Sequence, residues 1–254
     1  MSNSNTLCIG KVLHDFPVLP STNEYALELL ALGRPEEGTV IATAHQTHGR
    51  GQAGTRWEAS PHDNLTLSII LYPGFLEAQA GFLLSQAIAL AVRDTIADTI
   101  GFPASIKWPN DIYIAGKKTA GILLQTALSG RHFQYCVAGI GINVNQTSFP
   151  AELPNPGSLA LATGTAVPII PFREWLFRNL AIRYRQLQYD SAETLRTDYL
   201  RHLYQLEKVC LFQEPDGTRF EGRITGVSPT GKLLVQQQEK TRRFDIKEIT
   251  FVPT

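Results

Sequence analysis

Four apolar segments follow one another between Ile106 and Val144 with only short turns between them: Ile106 to Trp108, Asp111 to Ala115, Ala120 to Thr126 and Phe133 to Val144. Parallel pairing of neighbours needs a crossover of about a dozen residues, so segments this close pair as antiparallel strands. The second pair turns through Gly116-Lys117-Lys118-Thr119. Around this meander the helical period appears. Ser21-Thr22-Asn23-Glu24 reads as a capping box, with Ser21 accepting from a first-turn amide and Glu24 reaching back. The helix behind it carries Tyr25, Leu29 and Leu32 on one face, beside Ala26 and Leu30, and ends near Gly33 and Pro35. Ala80 to Ile100 has a broad apolar face through Leu83, Leu84, Ala87, Leu90 and Ala91, and further helices are read around Phe172 to Tyr189 and Ser191 to Leu203. With strands at Gly38 to Thr43 and Asn64 to Tyr72, the fold class is α+β, a mixed, largely antiparallel sheet with flanking helices.

The texture changes after residue 205. Val209 to Phe212, Arg219 to Val227, Leu233 to Gln237 and Arg243 to Ile246 are short strands, separated by Asp216-Gly217, Pro229-Thr230-Gly231 and a charged turn at Glu239 to Arg242. About 50 residues of this kind suit a small β-barrel near the lower size limit for folding alone, so it is expected to pack on the larger part. The domains are therefore read as 1–205 and 206–254.

With 23 Lys+Arg against 23 Asp+Glu, the formal net charge is zero. That argues against a nucleic-acid platform or an anionic-membrane binder, both of which need excess positive charge. A content of 43% apolar residues supports a sizeable core and excludes disorder as the main state. Cys8, Cys136 and Cys210 lie far apart with no metal-ligand spacing and read as small core hydrophobes. Residues 1–7 lack the basic start and apolar stretch of a signal peptide, and no run approaches the ~18 apolar residues of a membrane span. A cytoplasmic setting is the expectation.

From Ala44 to Asp63 the apolar pattern stops, for longer than a purely connective loop needs. Its Gly49-Arg50-Gly51-Gln52-Ala53-Gly54-Thr55-Arg56 run is not a Walker loop, which requires Lys and Ser or Thr after the last Gly and then a helix. Gly139-Ile140-Gly141 is not a Rossmann turn, because Ile142, Asn143 and Val144 continue a strand. Two readings remain for the glycine loop: a flexible surface hairpin, or a loop that wraps amides and two Arg around an anion. Lys107-Trp108-Pro109-Asn110-Asp111 gathers an ammonium, a carboxylate and an amide where Pro109 interrupts a ladder. It reads equally as a β-turn with Asn-Asp chemistry. Lys118 sits at a hairpin mouth, and Asn143 is a buried amide in need of partners.

Taken together, these segments resemble the biotin protein ligase family. Ser21-Thr22-Asn23, Gln46 with the Gly49 to Trp57 loop, the Lys107 to Asp111 run, Lys118 with Ala120-Gly121-Ile122, and Gly139-Ile140-Gly141-Ile142-Asn143-Val144-Asn145 occur in the family's order and approximate spacing. The resemblance covers essentially the whole chain. It implies a catalytic domain like those of class II aminoacyl-tRNA synthetases and biotin-lipoate ligases, plus a C-terminal SH3-like barrel. It also implies that biotin and MgATP form biotinyl-adenylate and pyrophosphate, after which a lysine of a biotin carboxyl carrier domain, from acetyl-CoA carboxylase or a related carboxylase, takes the biotin. By resemblance Ser21, Thr22, Asn23, Gln46, Gly49, Gly51, Gln52, Trp57, Lys118 and Gly121 lie on the biotin side. Arg50, Lys107, Asn110, Asp111, Lys118 and Asn143 lie on the nucleotide side, with Lys118, Arg50 and Asp111 carrying the chemistry. Mg²⁺ arrives with ATP, with no protein ligands identified, and no prosthetic group is implied.

One departure stands out: the family loop reads Gly-Arg-Gly-Arg with a further Arg after the later Gly, whereas Gln52 and Thr55 stand at those two places. Only about 20 residues precede the capping box, too few for the DNA-binding domain many relatives carry, so a ligase without a DNA role is expected, as monomer or homodimer. The competing readings are a lipoate or octanoate protein ligase and a catalytically inactive biotin-binding protein.

Overall fold

The computed structural model describes residues 7–252. A seven-stranded sheet is built from β1 (Leu13–Phe16), β2 (Val40–Thr43), β3 (Leu65–Leu71), β4 (Ala104–Lys107), β5 (Asp111–Ile114), β6 (Lys117–Ser129) and β7 (His132–Ile142). Its order is β1-β2-β3-β7-β6-β5-β4. All neighbours are antiparallel except β1 and β2. A parallel pair needs a helical crossover, and α1 (Thr22–Leu32) supplies it. β1 has no period of its own, since Leu-His-Asp-Phe becomes a strand only by pairing with β2.

Strand alternation divides the sheet into two faces. Ala138, Ile140 and Ile142 of β7 point to one, where they join α2 (Gly81–Ile100), α4 (Ile169–Tyr189) and α5 (Ala192–Arg201) in the main core. The short α3 (Leu159–Thr163) was not anticipated; Ser158 caps it by accepting from Leu161 N–H at 3.1 Å. Ala78–Ile100 is in fact long and apolar enough to cross a membrane, contrary to the sequence reading. Within the fold, Leu84, Ala89, Leu90, Ala91 and Val92 are buried in the core, so it is a core helix.

The opposite face is covered only in part. There α1 packs Ala26 against Ile41, Ile70 and Val137. Tyr25, Leu29 and Leu30 pack half-buried against this cluster as expected, whereas Leu32 is 86% exposed and the first turn buries the polar Thr22 and Asn23 instead. The capping box is half formed: Ser21 Oγ accepts from Glu24 N–H at 3.3 Å, while the Glu24 carboxylate pairs with Arg50.

The second sheet comprises β8 (Val209–Gln213), β9 (Arg219–Val227), β10 (Leu233–Gln237), β11 (Lys240–Phe244) and β12 (Thr250–Phe251), in the order β11-β10-β9-β8-β12. β11 begins inside the expected charged turn. As an edge strand with only Phe244 buried it tolerates Lys-Thr-Arg-Arg, which an interior strand would not. Trp108 Nε1–H donates to Gly231 O at 2.9 Å, and one apolar cluster runs through both sheets. Of the cysteines, Cys136 is buried as expected, whereas Cys8 is exposed and Cys210 half-buried.

Candidate active site

Register determines what stands on the partly covered face. Lys107 pairs with Asp111, Asp111 with Gly121, Gly121 with Gly141, Gly141 with Thr66, and Thr66 with Thr43. Paired residues share a face, so these form one row across six strands. The next row on that face runs Leu123, Gly139, Ser68 and Ile41. Ile140 between the two glycines points into the core, so the Gly-Ile-Gly alternation is a strand that is smooth on one side and packed on the other.

Lys118 lies within β6, not in the expected turn; the turn is Ala115-Gly116, both at positive φ (47° and 76°). Simple alternation would put Lys118 on the core side with Ala120 and Ile122. A bulge prevents this: Ile112 pairs with Ala120 but Tyr113 with Lys118, leaving Thr119 as an extra residue. Lys118 thereby joins Gly121 on the open face, where its Nζ lies 2.7 Å from Asp111 Oδ1. Asn143 N–H donates to Thr119 O at 2.8 Å and braces the bulge from β7.

At one end of the floor is a polar base. Gln46 Oε1 accepts from Thr22 N–H at 2.9 Å and from the Thr22 hydroxyl at 3.2 Å, which fixes its amide. Ser68 Oγ lies 2.7 Å from Thr22 Oγ1 and 2.5 Å from Asn23 Oδ1, and Asn23 Nδ2 donates to Gln125 Oε1 at 2.7 Å. Sequence reasoning missed Ser68 and Gln125, which lie inside ordinary strand patterns.

The Gly49 to Trp57 segment forms a small hairpin, with Gly51 N–H donating to Thr55 O (2.7 Å) and Trp57 N–H to Gly49 O (3.1 Å). The Trp57 indole lies on the glycine pair of the floor. A Cβ on Gly141 would stand 2.3 Å from Trp57 Cε2, and one on Gly121 3.1 Å from its Cζ3. Trp57 Nε1 is buried and, among the described residues, has no hydrogen-bond partner.

The far end is cationic. Lys107 Nζ sits over the rings of Tyr113 (5.0 Å) and Phe251 (4.9 Å) and donates to Tyr113 Oη at 3.1 Å. Burial lowers the Lys107 pKa, Asp111 opposes that shift and Lys118 adds to it. Burial raises the Tyr113 pKa, which keeps the phenol protonated. Asn110 donates its side-chain amide to Ile122 O, pinning the turn before β5.

These parts surround a single cleft of about 1140 Å³ between the two sheets. Ser21, Thr22, Asn23, Gln46, Arg50, Gly51, Gln52, Trp57, Lys107, Asn110, Asp111, Lys118 and Gly121 all line it. Two expected residues do not. Gly49 lies behind the wall, where a Cβ would stand 2.2 Å from Trp57 O, and Asn143 donates Nδ2–H to Gly157 O at 2.9 Å. Lys208, Cys210 and Phe251 bring the second sheet into the lining, as its texture alone did not suggest.

The biotin/lipoate A/B protein ligase family matches residues 16–143. The bifunctional ligase/repressor BirA of Bacillus subtilis is 31% identical over 235 residues, which span 91% of this chain and 71% of that protein. The biotin--[acetyl-CoA-carboxylase] ligase of Mycobacterium tuberculosis is 36% identical over 227 residues, spanning 87% and 82%. Among solved structures, a biotin protein ligase from Aquifex aeolicus in complex with biotin and ATP superposes with a TM-score of 0.80 at 24% identity, over 96% of this chain and 100% of that one.

Proposed function

The chain belongs to the biotin/lipoate A/B protein ligase family, and from that premise we infer that it is an ATP-dependent ligase that attaches biotin to a carboxylase. The observation that carries this reading is the cleft floor, where Lys107, Lys118 and Asp111 stand at one end of a glycine surface and a fixed polar base at the other.

In the first half-reaction a biotin carboxylate oxygen attacks the α-phosphorus of ATP, and the bond to the β-phosphate breaks to release pyrophosphate. Both reactants are anions, so the site must gather cations before they meet. Lys118 holds the carboxylate and then the adenylate, Arg50 covers them from the lid, and Lys107 with Asn110 faces the nucleotide. Thr22, Asn23 and Gln46, with Ser21 beside them, hydrogen-bond the polar ring of biotin, while Gly51, Gln52 and Trp57 close over it. Gly121 lets its alkyl chain lie against the sheet, and Gly49 and Asn143 act from behind, one under the lid and one under the Thr119 bulge.

Among the described residues there is no group of three or more His, Cys, Asp or Glu fit for a metal. A single carboxylate, Asp111, beside a nucleotide suits an ion carried in mainly by phosphate oxygens. Asp111 and Asn110 are the residues that would face Mg²⁺, which when bound neutralises phosphate charge. In the second half-reaction an acceptor lysine amine attacks the biotinyl carbonyl, the bond to AMP breaks and the amine loses a proton. With an unperturbed pKa of about 10.4, roughly one amine in 10³ is neutral at pH 7, so orienting and deprotonating it is worth about 4 to 5 kcal/mol. Asp111 takes that task, exchanging Lys118 for the incoming ammonium.

Residues 206–252 belong to a second domain of SH3-like type that closes the cleft beside the acceptor. The acceptor is the biotin carrier domain of acetyl-CoA carboxylase or a close relative, and the setting is cytoplasmic. Pyrophosphate release is the test: biotin with ATP should release it, and lipoate with ATP should not. Release with lipoate alone would make the chain a lipoate ligase, and release with neither would make it a binding protein.

A further inference from the structure

We propose that Glu24 is a positioning residue for the lid: it anchors Arg50 to the first turn of α1 and so holds the hairpin of residues 49–57 over the cleft before any ligand is present. Its site rests on the function inferred above, but the anchoring does not. Glu24 is the third residue of α1, immediately after Thr22 and Asn23 of the polar base. Its Oε1 pairs with Arg50 Nη2 across the gap between helix and lid. A capping-box glutamate would turn back to the Ser21 amide. Here the carboxylate instead joins the rigid end of the site to its movable cover.

Glu24 meets the guanidinium at Nη2, and Arg50 also lines the cleft. Guanidinium offers five donors in a fixed fork, so Arg50 can keep Glu24 on one edge and accept an anionic ligand on another. The side chains are 62% and 37% exposed, which makes the pair weak and readily remade as the lid opens. The lid lacks cationic side chains at Gln52 and Thr55, and Thr55 serves internally by donating its hydroxyl to Gln52 O at 2.9 Å. The glycines that make the hairpin bendable therefore need a tether outside it, and among the described residues Glu24 is the ionic one in place.

The tether is tested by amide hydrogen exchange over residues 49–57 in the ligand-free protein, together with dissociation of preformed biotinyl-adenylate. Glu24→Gln should accelerate both by about two- to fivefold, the scale of an exposed ion pair. In an Arg50→Met background the same substitution should change neither, an outcome that a purely helix-capping role for Glu24 would not produce. Raising salt to about 0.5 M should speed lid exchange in the parent and much less in Glu24→Gln. Lid exchange unaltered by Glu24→Gln, or altered equally in the Arg50→Met background, overturns the proposal. If no adenylate forms at all, the ligase reading fails, while the exchange measurement still decides the role of Glu24.

Discussion

Gly141→Ala separates the lid from the floor. The added methyl would sit 2.3, 2.6 and 2.7 Å from Cε2, Cζ2 and Nε1 of Trp57. Carbon pairs rest at about 3.5 to 4.0 Å, so the indole or the strand must retreat by roughly 1.2 Å or more. β7 cannot yield, because it is paired on both sides and Ile140 and Ile142 anchor it in the core. The indole can, since its Nε1 has no hydrogen bond to hold it. Lifting it forfeits apolar contact on the order of 50 to 80 Å², about 1 to 2 kcal/mol. Because the lid closes on its ligand through this same contact, biotin affinity should fall about tenfold by titration calorimetry, while the melting temperature falls by only about 2 to 8 °C, less than in the control below. Gly139→Ala is the control, because its methyl would stand 2.2 Å from Asn23 Oδ1, inside the polar base. Leaving such buried groups unpaired costs about 1 to 3 kcal/mol each, so this variant should lose both affinity and thermal stability. The reasoning fails if Gly141→Ala binds biotin as tightly as the parent, or melts as early as Gly139→Ala.

Asp111→Asn should slow transfer from preformed adenylate to the acceptor by about 10²-fold at neutral pH, with the loss shrinking as alkali deprotonates the amine; an unchanged transfer rate at every pH would remove Asp111 from that role. Gln52→Arg should slow adenylate dissociation at least about tenfold, from a charge-assisted bond of about 1.5 to 3 kcal/mol, and an unaltered off-rate defeats the idea that the missing arginine loosens the lid. Burial pushes the Cys136 thiol up to about 12 from an ordinary value of 9.0. Between those values the unfolded chain ionises while the folded one keeps its proton, so this group makes stability fall as pH rises. The slope approaches about 1.4 kcal/mol per pH unit. The destabilisation caused by Cys136→Ala should then shrink by about 2 kcal/mol between pH 8 and pH 10.5 in urea titrations, and a constant difference would contradict it.

The legible parts of the fold were those that local chemistry decides. Short turns required an antiparallel centre, Ser21 marked the start of α1, and the apolar face of Ala80 to Ile100 marked the core helix. What escaped depends on partners distant in the chain. β1 exists because β2 offers it a ladder. The first turn of α1 is buried although polar, because it serves the cleft, and of the Tyr25, Leu29 and Leu32 stripe only Leu32 stays outside the packing. The site itself was visible as separate residue clusters. Their assembly was not, because it depends on register and on one extra residue, Thr119, that no pattern of alternation announces.

That extra residue also explains why the cleft stays open. A sheet face becomes core when its side chains can be buried, and each buried methylene contributes about 0.8 kcal/mol. On the row from Lys107 to Thr66 the central positions are Gly121 and Gly141, which have nothing to bury. The bulge adds an ammonium, Lys118, where regular alternation would have placed the short side chain of Thr119. A helix laid there would gain little and would desolvate Lys118 and Asp111, a pair costly to bury. The face therefore accepts a cover only where the cover brings its own partners, as the lid does with the Trp57 indole and the second sheet with the Phe251 ring over Lys107. Both are contacts to a floor fixed on its far side by the core that α2 packs against it, so ligand entry and release fall to the motion of the lid while the floor keeps its geometry.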